Sequence, residues 1–163
     1  MRRLCEHSGA GALRIGRSTL LPSIPSNDVR TFPARFSAVA DTAAFALGFC
    51  ERNQIPRPTA LRVRLIIEEL FTNSIQHGYG GECDTPVRIA LAMVDGYLTI
   101  EYEDSAPRYD PVARLSALAA GEVTPLDAPP ADGLGIFLIG KLAYGAHHAY
   151  EDGRNRLWLV IRP

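Results

Sequence analysis

Leu61-Arg-Val-Arg-Leu-Ile-Ile-Glu-Glu-Leu-Phe-Thr-Asn-Ser-Ile-Gln-His-Gly-Tyr79 carries apolar side chains at intervals of three and four residues. That spacing predicts an α-helix from about Thr59 to His77, closed by Gly78, Gly80 and Gly81. Residues four apart on a helix stand above one another, so Glu69, Asn73 and His77 fall on one narrow polar stripe. Val63, Ile66, Ile67, Leu70, Phe71 and Ile75, with Leu61 and Leu65, take most of the remaining circumference, which predicts packing on several sides. A polar group drawn into such surroundings without a partner costs about 1–3 kcal/mol. Two uses of the stripe are open. Glu69 makes a structural hydrogen bond and His77 caps the helix end, or the three residues form a chemical site. Glu68 needs no such choice, because Arg64 four residues before it supplies a surface ion pair.

Outward from this helix, Val29 to Arg35 reads as a short edge strand, where Pro33 is tolerated. Phe36 to Asn53 has helical spacing through Val39, Ala43, Ala46, Leu47 and Cys50, and Pro56 and Pro58 end the segment. Val87–Val94 and Tyr97–Glu103 alternate in character around Asp95-Gly96, a strong hairpin signal. Ala146–Glu151 and Arg156–Ile161 repeat the arrangement around Asp152-Gly153. Between them, residues Asp104 to Asp132 are rich in Pro, Ala and Gly, with a short helix expected near Val112–Ala120; so long a connection reads as a lid. Gly133-Leu134-Gly135 then precedes the start of a helix at Ile136–Leu142. Two helices, a hairpin, a helix and a hairpin indicate an α+β two-layer sandwich, with helices on one face of a mainly antiparallel sheet. Residues 1–27 show no clear period and read as an N-terminal extension, leaving 28–163 as one domain.

Composition narrows the function classes. The chain has 163 residues, with 17 Lys plus Arg against 18 Asp plus Glu, so it lacks the basic field that holds nucleic acid or anionic lipid. Its 3 cysteines are odd in number and show no CxxC spacing, which suits a reducing cytoplasm better than a disulfide framework or a zinc site. No apolar run approaches the ~18 residues of a membrane span.

Two further motifs follow the polar stripe. Asp104-Ser-Ala-Pro-Arg-Tyr-Asp-Pro111 follows a strand, and on its own it reads as a turn in which Asp104 and Asp110 accept backbone hydrogen bonds. Gly133-Leu134-Gly135 is either a close-packed turn or a stretch whose free N–H groups meet phosphate at a helix start. In the order ExxxNxxxHGY, hairpin, DxxPxYDP, pliable stretch, DGLGI and GRNxLxL hairpin, the chain resembles the small ATP-binding domains of the anti-sigma-factor serine kinases. These are the RsbW and SpoIIAB type of the GHKL superfamily, and the resemblance runs from about Arg30 to Ile161.

The resemblance implies a Bergerat ATP-binding fold with ATP and Mg²⁺ as cofactors. By the same resemblance, Glu69 is the general base on a serine or threonine hydroxyl and Asn73 holds Mg²⁺. Asp104 accepts a hydrogen bond from the adenine amino group. Gly133, Leu134 and Gly135 close over the triphosphate, and Ala106 borders the pocket; helical geometry sets His77 near the same pocket, with no chemical role assigned to it. Phosphoryl transfer needs mainly positioning, a metal across the phosphates and a base near the attacking oxygen, which agrees with those roles. The family loop usually reads DxGxxFDP; here Ala106 stands for the glycine and Tyr109 for the phenylalanine, and a Cβ at 106 can obstruct the ligand unless the loop uses a negative φ. Arg108, Arg114 and Lys141, the one lysine of the chain, are the cations at hand for phosphate. The implied partner is a STAS-type anti-anti-sigma protein that becomes phosphorylated, with a sigma factor as a second partner and a homodimer as the common assembly. The alternative is a non-catalytic nucleotide-binding module that sequesters a regulatory protein.

Overall fold

The computed structural model describes residues 28–120 and 139–163. Strand β1 (Val29–Pro33) leads through a 3₁₀ turn at Phe36–Ala38 into α1 (Val39–Arg52), followed by α2 (Arg57–Asn73). β2 (Pro86–Val94) and β3 (Tyr97–Asp104) form one hairpin, and β4 (Gly145–Glu151) and β5 (Arg154–Ile161) form another, with α3 (Pro111–Ala120) between the two. Both hairpins turn as their sequences predict. Asp95 and Gly96, and likewise Asp152 and Gly153, all have positive φ, the backbone that matches the twist of the flanking strands.

The sheet order is β1-β2-β3-β5-β4, every neighbouring pair antiparallel. β1 lies at an edge, where the missing N–H of Pro33 costs no ladder bond. Alternation puts Val87, Ile89 and Leu91, Ile100 and Tyr102, and Leu157, Leu159 and Ile161 on the buried face. Phe45, Phe49, Val63, Ile66, Ile67 and Phe71 from α1 and α2 share a single core with them. Phe32 ties the edge strand to both helices, its ring centroid 6.0 Å from Phe45 and 6.4 Å from Phe71. The result is the α+β two-layer sandwich that the element order predicts.

Three details of α2 differ from the sequence reading. The helix begins at Arg57 rather than Thr59, because Pro58 sits in the first turn, where its absent N–H would have had no partner. Leu61 and Leu65 do not pack: they are 46% and 37% exposed, on the side of α2 turned away from α1 and the sheet. Beyond Asn73 the chain widens into a π turn over Ser74–Gly78, in which the Tyr79 N–H reaches the Ser74 carbonyl at 2.8 Å. Such a turn holds more residues than the 3.6 of an α-helix, and His77 within it is exposed. The Arg64–Glu68 surface pair is present, with 2.8 Å between Nε and Oε1.

The π turn makes room for the loop after β3. A Cβ on Gly78 would lie 2.8 Å from the Cβ of Ala106, closer than two carbons pack. Ala106 is 3% exposed, and its φ is not positive; among the described non-glycine residues only Gln54, Asp95 and Asp152 have positive φ. On the opposite face of the sheet Glu103 is 7% exposed and accepts hydrogen bonds from Arg154 at 2.6 Å and Arg156 at 2.7 Å. Burial pushes its carboxyl pKa up, but the two guanidinium groups outweigh that and hold it below the usual glutamate range.

Two outcomes follow. Gly78→Ala is expected to destabilise the fold by about 1–3 kcal/mol through overpacking, and adding Ala106→Gly should recover most of that loss. Unfolding in denaturant checks this, and simple additivity of the two changes would refute the contact. Because the folded Glu103 pKa lies below its unfolded value, its contribution is complete above the unfolded value and disappears as pH falls through the folded one. Glu103→Gln should therefore cost about 1–2 kcal/mol at pH 7, near the low end because Arg154 is half exposed, and should flatten the acid limb of the melting temperature below about pH 4.5. An acid limb as steep as the parent's would assign the pH dependence to other carboxylates.

Candidate functional site

The end of α2, its π turn, the loop after β3 and the facing ends of β4 and β5 enclose an open cavity of about 310 Å³. At its base lies Asp104, the last residue of β3 and 8% exposed. The β3–β5 register sets it directly across from Asn155. Oδ1 of Asp104 accepts from the Asn155 amide at 2.9 Å and from the Ala106 N–H at 3.1 Å, and Oδ2 accepts from the Ser74 hydroxyl at 2.6 Å. A carboxylate offers about four acceptor positions, so one remains, on Oδ2.

Tyr102 is two residues before Asp104 and therefore on the same face of β3. Its hydroxyl lies 2.8 Å from Ser74 Oγ and 3.2 Å from the Leu70 carbonyl. Ser74 gives its one proton to Asp104, so Tyr102 is the donor in the Tyr–Ser bond. Complete burial drives the Tyr102 pKa well up and keeps that proton in place. The relay Tyr102 to Ser74 to Asp104 thus joins β3 to the first residue of the π turn.

Asn155 organises the loop beyond Asp104. Its amide nitrogen also donates to the carbonyls of Ala106 at 3.0 Å and Pro107 at 3.2 Å, and its oxygen accepts from the Tyr109 N–H at 3.0 Å. His148 Nε2 lies 3.3 Å from the same oxygen. Asp110 then caps α3, its Oδ1 accepting from the N–H groups of Val112 and Ala113 at 3.0 and 2.9 Å. Both aspartates accept backbone hydrogen bonds, as the turn reading has it, and Asp104 still keeps an acceptor in the cavity wall.

The structure brings Asn73, His77, Asp104 and Ala106 around this one cavity, with Arg108 at its wall. Glu69 stands one turn before Asn73 on α2, half-buried and outside the lining. The Cβ of Ala106, marked by the sequence as an obstruction, is packed against Gly78. Gly133, Leu134 and Gly135 lie outside the described residues. Four polar residues of the site were not singled out by the sequence reading, His148 of β4 among them. Ser74 follows Asn73 directly, Tyr102 shares the alternation of Asp104, and Asn155 belongs to the Gly-Arg-Asn turn that opens the last strand. Their spacing within one element was visible, but their meeting depends on pairing across 28 to 51 residues of chain.

Comparison with known proteins fits this geometry. Residues 32–161 match the family described as the histidine kinase-like ATPase domain. Three proteins named serine-protein kinase RsbW, from Listeria monocytogenes serotype 4a (strain HCC23) and serotype 4b (strains CLIP80459 and F2365), are each 25% identical over 92 residues. That match takes in 56% of this chain and 59% of theirs, so the chain spans well under two thirds of the relatives' length. Among solved structures, a chain in the crystal structure of the SiaB–SiaC complex from Pseudomonas aeruginosa superposes with a TM-score of 0.60 at 17% identity, covering 82% of this chain and 88% of that one. With the family match running from the end of β1 to the last residue of β5, the chain belongs to the histidine kinase-like ATPase domain family.

Proposed function

We propose that the cavity binds ATP together with Mg²⁺, and that the domain is a serine/threonine protein kinase of the anti-sigma regulatory kind, acting on a STAS-type anti-anti-sigma protein. The observation that carries the reading is the single acceptor that Asp104 keeps open in a small, largely apolar cavity. The exocyclic amino group of adenine supplies the N–H that such an acceptor needs, whereas a purine with a carbonyl at that position sets oxygen against oxygen.

Asn73 lies at the cavity wall with a carboxamide oxygen, the hard ligand that Mg²⁺ takes beside phosphate oxygens. Among the described residues no group of three or more His, Cys, Asp or Glu side chains gathers to hold a metal. Bound there, Mg²⁺ would neutralise charge on the phosphates. Glu69, one turn back, is the base in this reading: the partner's hydroxyl oxygen forms a bond to the γ-phosphorus, its proton passes to Glu69, and the bond to the ADP oxygen breaks. The relatives' name as serine-protein kinases supports the transfer, and a fold shared with a chain of a two-protein complex is compatible with a protein acceptor.

A second reading is favoured by one observation: Glu69 lies outside the cavity lining. In that reading the domain binds nucleotide and sequesters a regulator without transferring phosphate. No helix among the described residues is long and apolar enough to cross a membrane.

Calorimetric titration with ATP, with and without Mg²⁺, tests the site. Magnesium-dependent binding is expected in the parent, with Asn73→Ala and Asp104→Asn each weakening it by about tenfold or more, as the loss of one interaction worth about 1.4 kcal/mol requires. Absence of binding by the parent at millimolar ATP would overturn the nucleotide reading. Glu69→Ala should keep ATP affinity and reduce phosphoryl transfer to a STAS-domain protein by about 10²–10⁴-fold; retained transfer would remove Glu69 as the base.

A further inference from the structure

Asn155 is the second residue of β5, in a Gly153-Arg154-Asn155 sequence to which neither the cavity's proposed chemistry nor the family match gives a task. Its amide nitrogen holds Asp104 Oδ1 and the carbonyls of Ala106 and Pro107, and its oxygen takes the Tyr109 N–H. The orientation of that amide is settled by chemistry: turned over, its oxygen would face a carboxylate and two carbonyls, and its nitrogen would face an N–H. His148, whose side chain is 4% exposed, braces it from β4, with Nε2 towards the Asn155 oxygen and Nδ1 3.6 Å from Asp110 Oδ1.

We propose that Asn155 is a positioning residue for base recognition, clasping the segment Asp104–Tyr109 so that the open acceptor of Asp104 faces the bound base. The inference rests on the reading of the cavity as a nucleotide site. A loop with Ala106 in place of a glycine lacks the glycine's backbone freedom, and its Cβ is already committed to the hollow above Gly78. Two anchors therefore hold the loop in this chain, van der Waals contact on the helix side and the Asn155 amide on the sheet side. Cross-strand pairing with Asp104 makes the sheet anchor rigid, because displacing Asn155 means displacing β5. Asn155 acts on the ligand through Asp104, by fixing where the carboxylate oxygen points.

The test compares dissociation constants for ATP and for inosine triphosphate, which carries a carbonyl oxygen where adenine has its amino group. These are measured on the full chain as parent, Asn155→Ala, Asn155→Asp and His148→Phe, with the melting temperature of each. The parent should prefer ATP, and both Asn155 variants should narrow that preference by about tenfold, the worth of a hydrogen bond whose geometry is lost. His148→Phe leaves the amide in place without its brace and should narrow the preference by about two- to fivefold. A merely structural Asn155 would weaken both nucleotides alike through the folded fraction and leave their ratio untouched. An unchanged ratio in any folded Asn155 variant, or in His148→Phe if neither of those folds, overturns the proposal. Failure of the underlying reading is seen in the parent alone: binding of neither nucleotide removes the site, and equal binding of the two removes base recognition and the clasp with it.

Discussion

The site depends on one buried carboxylate and the strand register that serves it. Asp104 is 8% exposed, and a carboxylate so placed persists only if its oxygens are bonded. β3 and β5 pair so that Asp104 faces Asn155. A slip of one residue would turn Asn155 to the far face of the sheet and leave both groups without each other. The same register carries Glu103 to Arg156 on the opposite face, where a second buried carboxylate is neutralised. Two adjacent acids, one facing the core and one facing away, are thus satisfied by two adjacent residues of β5.

The helix side of the site answers to the same need. Ser74, whose N–H still bonds the Leu70 carbonyl, stands where α2 passes into the π turn, and from there its hydroxyl reaches Asp104. That turn also brings Gly78 against Ala106, where no Cβ fits. π turns occur frequently at functional sites, and here its physical use is plain: it offers one hydroxyl donor to the carboxylate and a hollow to the loop. Ala106 is accommodated by packing within this chain, its Cβ by Gly78 and its carbonyl by the Asn155 amide.

The order of strengths decides how the two functional readings stand. The Asp104 acceptor, its three donors and the enclosing cavity are preorganised, and preorganisation is what makes a polar contact selective. Chemistry at the far end asks for more: a base, a metal and phosphate donors brought together. Asn73 meets the cavity and Glu69 stands a turn behind it.

Periodicity and turn chemistry in the sequence were sufficient for the architecture. The i, i+3, i+4 pattern placed α1 and α2, two Asp-Gly pairs placed both hairpins, and their order implied the layered α+β fold, because burial of apolar side chains at the periods of helix and strand is a local property. Asn73, His77, Asp104 and Ala106 were also legible, as motif residues in a recognisable order. Only the tertiary structure decided that Ser74, Tyr102 and Asn155 complete the Asp104 site, that α2 gives way to a π turn at Ser74, that Leu61 and Leu65 stay at the surface, and that Ala106 needs Gly78. Each of these turns on strand register, on a π turn or on which side of a helix meets its neighbour. Those are set by packing between segments 28 to 51 residues apart, for which a local pattern carries no signal.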